Sequence, residues 1–327
     1  MKKRRLGKTG IEVTEMGLGT WQLGGKWGSK FSDKTAEEIL HYAIDNGINF
    51  IDTADVYNGG LSEKAIGRVL KSRTERVFVA TKCGRFLNPH VNESYTVDAL
   101  RKFVEDSLAN MQMEQLDLVQ LHCPPTTVYY RPEIFELFDR LKDEGKVANL
   151  GVSVEKIEEA IKAMEFDNVT TVQIIFNMFR HRPSELFFRE AKARDIGVIV
   201  RVPLASGLLT GKFSSNSSFA PDDHRNFNKN GEIFDKGETF SGVNYESGLQ
   251  AVEELKHLFG DVSLAQKALK WVLMFDAVSI EIPGASSISQ LQSNLKATQL
   301  PALSEEEMKK VKDIYERHLK AAIHQSW

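Results

Sequence analysis

Short apolar runs alternate along the chain with longer stretches whose apolar residues recur every three or four positions. Eight runs, at residues 13–20, 48–53, 77–82, 116–122, 147–153, 169–176, 198–203 and 278–283, are too short for buried helices and predict buried strands. Between them, 33–46 opens on an Asp cap and stops at Gly47, and 96–111 puts Leu100, Val104, Leu108 and Met111 on one helical face. Residues 132–143 open with Pro132 in the first turn and close at Gly145; helices at 154–164 and 184–195 follow, the second ending at Gly197. Strands alternating with helices imply parallel βαβ units, and eight of them in about 300 residues fit a (β/α)8 barrel, here one domain spanning 1–327. A doubly wound sheet is disfavoured, because Gly17-Leu18-Gly19-Thr20-Trp21-Gln22 carries Gln where the third glycine of the dinucleotide fingerprint belongs. Two features break the regularity. Residues 3–14, centred on Lys8-Thr9-Gly10, predict a β-hairpin that plugs the barrel bottom. Residues 211–247 form a long polar insertion after strand 7, on the face where barrel active sites open.

Composition narrows the classes. The 327 residues are 42% hydrophobic and 27% charged with a net charge of −3, which suits a globular enzyme and offers no basic face for nucleic acid. No apolar stretch reaches the roughly 18 residues of a membrane span, and the basic start Lys2-Lys3-Arg4-Arg5 is not followed by the apolar run of a signal peptide. Two cysteines, Cys83 and Cys123, suit a reducing cytoplasm and exclude a disulfide framework. Each follows a strand-end residue; outward core packing is the expected role, a redox-sensitive pair the alternative.

The chemistry lies at the strand ends. The second strand ends in Asp52 with Tyr57 five residues on; the third ends in Lys82 and the fourth in His122. Buried strands that finish in acid, ammonium and imidazole need partners, and neighbouring barrel strands run only about 5 Å apart. Lys82 beside Tyr57 favours phenolate, Asp52 keeps Lys82 charged, and His122 can orient a carbonyl oxygen. The set moves a proton at an oxygen and includes no evident nucleophile or metal-ligand spacing, so the electrons must come from a hydride cofactor.

Phe50-Ile51-Asp52-Thr53-Ala54-Asp55-Val56-Tyr57, Ser62-Glu63, Ala80-Thr81-Lys82, Leu121-His122-Cys123-Pro124, Gly145-Lys146-Val147, Asn149-Leu150-Gly151-Val152-Ser153, Val172-Gln173, Pro203-Leu204, Gly207-Leu208-Leu209-Thr210-Gly211-Lys212 and Ile282-Pro283-Gly284-Ala285-Ser286 resemble, in order, the signature blocks of the aldo-keto reductases. The resemblance implies reduction of aldehydes or ketones by NADPH, with NAD as the second cofactor candidate and a small carbonyl compound as substrate. It implies that Tyr57 is the proton donor, that Asp52 and Lys82 tune it, and that His122 orients the carbonyl. It further implies cofactor contacts from Thr20, Trp21 and Asp52, from Ser153 and Gln173 to the carboxamide, from Arg201 as a guanidinium plane at the nicotinamide, from Pro203, Leu204, Gly207 and Lys212 along the pyrophosphate, and from Gly284, Ser286, Gln290 and Asn294 at the adenosine end. Trp21, Trp27, Val56, Phe86, Tyr129 and the insertion are expected to line the substrate pocket.

The chain departs from the family pattern at three places. Val154 stands where Asn commonly follows the serine, Arg201 where an aromatic ring often stacks on nicotinamide, and the Ser286 region lacks a lysine for a 2′-phosphate. Arg225 either folds over the cofactor to supply that cation or is a solvated loop arginine. Gly207 to Phe213 is not a P-loop: the glycine spacing is one short, and Phe213 replaces Ser/Thr. A barrel glycosidase is excluded by the want of a paired carboxylate at strands 4 and 7. The remaining rival is a cofactor-sensing subunit with little turnover, as in potassium-channel beta subunits, which resemble the same family.

Overall fold

The computed structural model describes residues 1–25 and 30–327. Strands β1 (Lys3–Arg5) and β2 (Glu12–Thr14) pair antiparallel, Lys3 opposite Thr14, as the predicted hairpin. Eight parallel strands follow in spatial order: β3 (Leu18–Gly19), β4 (Phe50–Asp52), β5 (Phe78–Cys83), β6 (Leu118–His122), β7 (Leu150–Ser153), β8 (Val169–Ile175), β9 (Gly197–Arg201) and β10 (Val278–Glu281). The two edges meet through parallel bridges Met16↔Glu281 and Gly19↔Gly284, so the sheet curls into the expected (β/α)8 barrel.

The run at 13–20 does not form one strand. Its first part belongs to the hairpin, where the Thr14 amide donates to Asn49 Oδ1 at 2.7 Å, and only Leu18–Gly19 enters the barrel. Apolarity alone does not distinguish a strand from a chain crossing from plug to wall.

The helices at 33–46, 96–111 and 132–143 appear as Asp33–Asp45, Val97–Met111 and Pro132–Asp143; Ser32 and Thr96 cap the first two. Those at 154–164 and 184–195 shorten to Ile157–Ala163 and Phe187–Ala193. Helices Leu61–Lys71, Tyr245–Phe259, Leu264–Leu273, Ile288–Lys296 and Glu305–His318 complete the outer ring.

The period of two along each strand sorts side chains into layers. Phe50, Ala80, Leu118, Ile199 and Ile280 fill the lower barrel together with Leu6 and Val13 from the hairpin region, which is the plug expected at the bottom. Two positions later on the same strands stand Asp52, Lys82, Gln120 and Arg201. The same alternation carries His122, Ser153 and Gln173 toward the open face. Intervening residues such as Val79, Val119, Val152 and Val172 point outward and join the larger core against the helices.

The insertion is ordered by aromatic packing. Ring centroids lie 5.2 Å apart for Phe213–Phe219, 5.8 Å for Phe219–Phe240 and 5.2 Å for Phe240–Tyr245. Trp327 pins its far side, donating from Nε1 to Asp235 Oδ1 at 2.7 Å.

Candidate active site

Lys82 is the hub. Its Nζ is buried, 2.6 Å from Asp52 Oδ1, 2.7 Å from Thr53 O and 3.2 Å from the Tyr57 hydroxyl. Three acceptors around an ammonium satisfy its three donors. Burial works to strip the Lys82 proton, yet Asp52 and Tyr57 prevail and hold its pKa above the usual lysine value. Burial pushes the Tyr57 phenol up; Lys82 pulls it down without reversing the shift. The lysine therefore tempers the tyrosine, and Tyr57 keeps its proton at neutral pH. Lys82 is the lowering influence that the sequence predicts, and burial, the larger effect, outweighs it.

Asp52 is fixed from its other oxygen. Gln173 Nε2 donates to Oδ2 at 2.7 Å and Gln120 Nε2 at 3.3 Å, and Ser153 Oγ lies 3.4 Å from Gln173 Oε1. Gln120 is absent from the sequence candidates. Its signal was available: a polar residue two positions before His122, hence on the same inward face. The His122 ring meets the Tyr57 ring edge-on at 6.1 Å. Burial, then the charges of Lys82, Arg85, Arg201 and His90, keep His122 neutral far below the ordinary imidazole range. Its Nδ1 has no partner among the described residues.

Thr20 lies beneath the site rather than in its open face: fully buried, its hydroxyl donates to Asp52 O at 2.9 Å and accepts from Ser62. Trp21 stacks toward Tyr57 at 6.4 Å and lies 6.4 Å from Phe234 and 4.8 Å from His224, both in the insertion. Val56 is partly buried beside Tyr57. Two further expected lining residues lie at opposite extremes of exposure. Tyr129 is fully buried in the core, and Phe86 is 51% exposed and stacked on Phe103 of an outer helix. Trp27 lies outside the described residues.

Arg201, at the end of β9, is anchored through both terminal nitrogens of its guanidinium. Its Nη1 binds Glu238 Oε2 at 2.6 Å, and its Nη2 donates to Val154 O at 2.9 Å and lies 3.6 Å from Cys123 Sγ. Glu238 comes from the insertion and carries no signature of its own. The carbonyl of Val154, a departure noted in sequence, thus serves Arg201. Val202 follows with φ 53, a conformation β-branched residues avoid, and Cys123 has φ 46 at the end of β6. Such strain gathers at functional sites.

Cys83 packs outward in the core as expected, whereas Cys123 turns toward Ser153 and Arg201. Burial pushes both thiols up, Cys123 to about 12.

The remaining candidates follow the rim of successive strand ends. Ala205–Thr210 makes a 3-10 turn in which Gly207 takes φ 92, preceded by buried Pro203 and half-buried Leu204, with Lys212 exposed beyond. Beyond β10, Gly284 is exposed, and a Cβ there would meet Gln22 Oε1 and Gly19 O at an unstrained 3.8 Å. Ser286 and Gln290 bond each other, Asn294 Nδ2 donates to Gly284 O at 3.3 Å, and Ser287 caps Ile288–Lys296. Arg225 is partly exposed and its charge is compensated: Asp223 takes its Nη2 at 2.5 Å, and its guanidinium lies 4.7 Å from the Phe219 ring. A surface groove lined by Tyr130, Ile161, Lys162, Arg182 and Leu186 lies on the helical rim and holds none of these groups.

A buried Lys–Asp pair beneath a tyrosine, with neutral histidine opposite, is an arrangement for protonating an oxygen. Comparison with known proteins decides its family. The aldo/keto reductase family matches residues 15–316. The chain belongs to this family. It is 31% identical to the aldo-keto reductase YhdN of Bacillus subtilis over 327 residues, covering 97% of this chain and 94% of that one. The holo form of the aldo-keto reductase AKR11C1 from Bacillus halodurans superposes with a TM-score of 0.79 at 27% identity, covering 100% and 99% of the two chains. A probable voltage-gated potassium channel subunit beta of Oryza sativa subsp. japonica is 29% identical over 336 residues, 96% of each chain. Aldo-keto reductases are oxidoreductases that use nicotinamide cofactors. Among the described residues, no helix is long and apolar enough to cross a membrane.

Proposed function

We propose that this chain, a single barrel domain, is a cytoplasmic reductase that converts aldehydes or ketones to alcohols with NADPH. The observation that carries the reading is the Tyr57 hydroxyl held 3.2 Å from Lys82 Nζ, itself 2.6 Å from Asp52. The residues of the rim fit a dinucleotide. Ser153 and Gln173 hold the carboxamide; Pro203, Leu204, Gly207 and Lys212 border the phosphates. The open face at Gly284, with Ser286, Gln290 and Asn294, takes the adenosine end. Choice of NADPH over NAD rests on the family likeness, because the Arg225 charge is already matched by Asp223.

When bound, the nicotinamide supplies the hydride. The protein supplies the proton. Tyr57 gives its hydroxyl proton to the carbonyl oxygen, and Lys82 stabilises the phenolate that remains. Asp52, fixed by Gln120 and Gln173, keeps Lys82 charged. Neutral His122 orients the carbonyl oxygen by a hydrogen bond. A Tyr57→Phe variant keeps the Asp52 and Thr53 contacts of Lys82 but has no proton to give. We expect unchanged NADPH binding by tryptophan fluorescence and a loss of roughly 100-fold or more in aldehyde reduction. Equal turnover by variant and wild type refutes the assignment.

A second reading, a cofactor sensor with little turnover, is favoured by one observation, the likeness to the channel subunit. NADPH binding without measurable reduction across a panel of aliphatic and aromatic aldehydes would decide for it.

A further inference from the structure

We propose that Arg85 receives an anionic group on the carbonyl substrate, so that the enzyme favours aldehydes or ketones bearing a carboxylate. This rests on the reductase reading above. β5 ends at Cys83, at the open face of the barrel. Gly84 takes φ 101, and a Cβ there would lie 2.8 Å from the Tyr95 ring, so the chain turns sharply after Cys83. Arg85 leaves that turn at the barrel mouth. Its guanidinium is 6.0 Å from the Phe234 ring and is among the charges that keep His122 neutral, so it faces the same opening as the catalytic group. The ring sequence His122, Tyr57, Trp21 and Phe234 then closes a wall on which Arg85 is the cationic end.

The other mouth guanidiniums are committed. Arg201 binds Glu238 and Val154, and Arg225 binds Asp223 through Nε and Nη2. Arg85 differs. Its ion-pair partner, Glu155 Oε1, stands 3.6 Å from Nη1, beyond hydrogen-bond reach, and no hydrogen bond of its guanidinium is seen among the described residues. The side chain is 22% exposed, so the fork is open to an incoming molecule rather than sealed in the wall. Glu155 is a weak competitor. Burial, together with nearby Glu238 and Asp235, raises its carboxyl to about 7 against the pull of Arg85 and Arg201. A partly desolvated guanidinium with free parallel donors matches a planar carboxylate in bidentate geometry, and a neutral substrate leaves those donors unmatched.

The test uses the purified full-length protein with NADPH and two aldehydes of one shape, 4-carboxybenzaldehyde and its neutral methyl ester. Wild type is expected to prefer the acid, and Arg85→Gln to lose roughly 10- to 100-fold in kcat/KM for the acid, mostly in KM, while the ester falls far less. Arg85→Lys, charged but without the fork, should fall between. Glu155→Gln should lower KM for the acid. Wild type that prefers the ester, or an Arg85→Gln variant that loses both substrates equally, overturns the role of Arg85 and leaves the reductase reading intact. Failure to reduce either aldehyde overturns the reductase reading instead. Calorimetric titration with 4-(hydroxymethyl)benzoate then still decides on Arg85, since equal binding to wild type and Arg85→Gln refutes the contact.

Discussion

Lys82 and Asp52 each make the other tolerable in the barrel interior. Removing one partner of a buried pair leaves an uncompensated charge, which costs about 3–5 kcal/mol. Lys82→Met is therefore expected to lower unfolding stability by that amount in urea titrations, and pairing it with Asp52→Asn should recover part of the loss. Asp55, three residues beyond Asp52, is a carboxyl with a different problem. Burial first, then Glu63, raises it to about 7 from an ordinary value of 3.8, against backbone hydrogen bonds and Lys82. A raised carboxyl binds its proton more tightly when folded, so stability falls as pH rises from the unfolded value through about 7, then levels. Asp55→Asn removes this dependence. Between about pH 5 and 8 the wild type should lose roughly 2–3 kcal/mol more than the variant, read from melts at both pH values. Tyr57 titrates above its ordinary value, so reduction should be flat between about pH 6 and 8 while alcohol oxidation, which needs the phenolate, rises toward alkaline pH.

At the scale of elements, the strand ends delivered what the alternation promised, and the insertion was legible in its position but not in its packing. Asp52, Lys82 and His122 were legible because a period of two fixes which residues share the inward face, and strand ends fix the height. Gln120 obeyed the same rule and could have been found. Glu238 and Arg85 could not. One sits in an irregular segment whose path is set by Phe213, Phe219, Phe240 and Trp327; the other depends on a turn at Gly84. The insertion also shows that polar composition did not mean a loose loop. Phe219 lies between Phe213, Phe240, Tyr245 and the Arg225 guanidinium. Phe219→Ala should cost about 3–5 kcal/mol if the segment unfolds with the barrel. A smaller cost, with faster cleavage within 211–244 under limited proteolysis, would mark it as a separately opening unit.

Across the whole molecule, the hairpin does more than cover the barrel bottom. Arg4 donates to Leu273 O at 2.6 Å, Val278 O at 2.7 Å and Phe275 O at 3.2 Å, and pairs with Glu15 at 3.3 Å. One side chain thus ties the plug to the last helix–strand unit, near Glu281, whose buried carboxyl is pushed well above the usual range by burial and by Glu15. Arg4→Ala should destabilise by about 2–4 kcal/mol in denaturant titration with little change in KM, because it acts on the end opposite the mouth. The sequence by itself determined the barrel, the plug and which polar side chains gather at the strand ends, since hydrophobic periodicity and strand-end position are local properties that survive without knowing any neighbour. Only the tertiary structure decided that burial outweighs Lys82 at Tyr57, that Arg201 is held by Glu238, and that Arg85 pairs with Glu155 without a hydrogen bond. Each of those depends on which charges and rings from distant segments arrive within a few ångströms of one another, and no pattern along the chain encodes that distance.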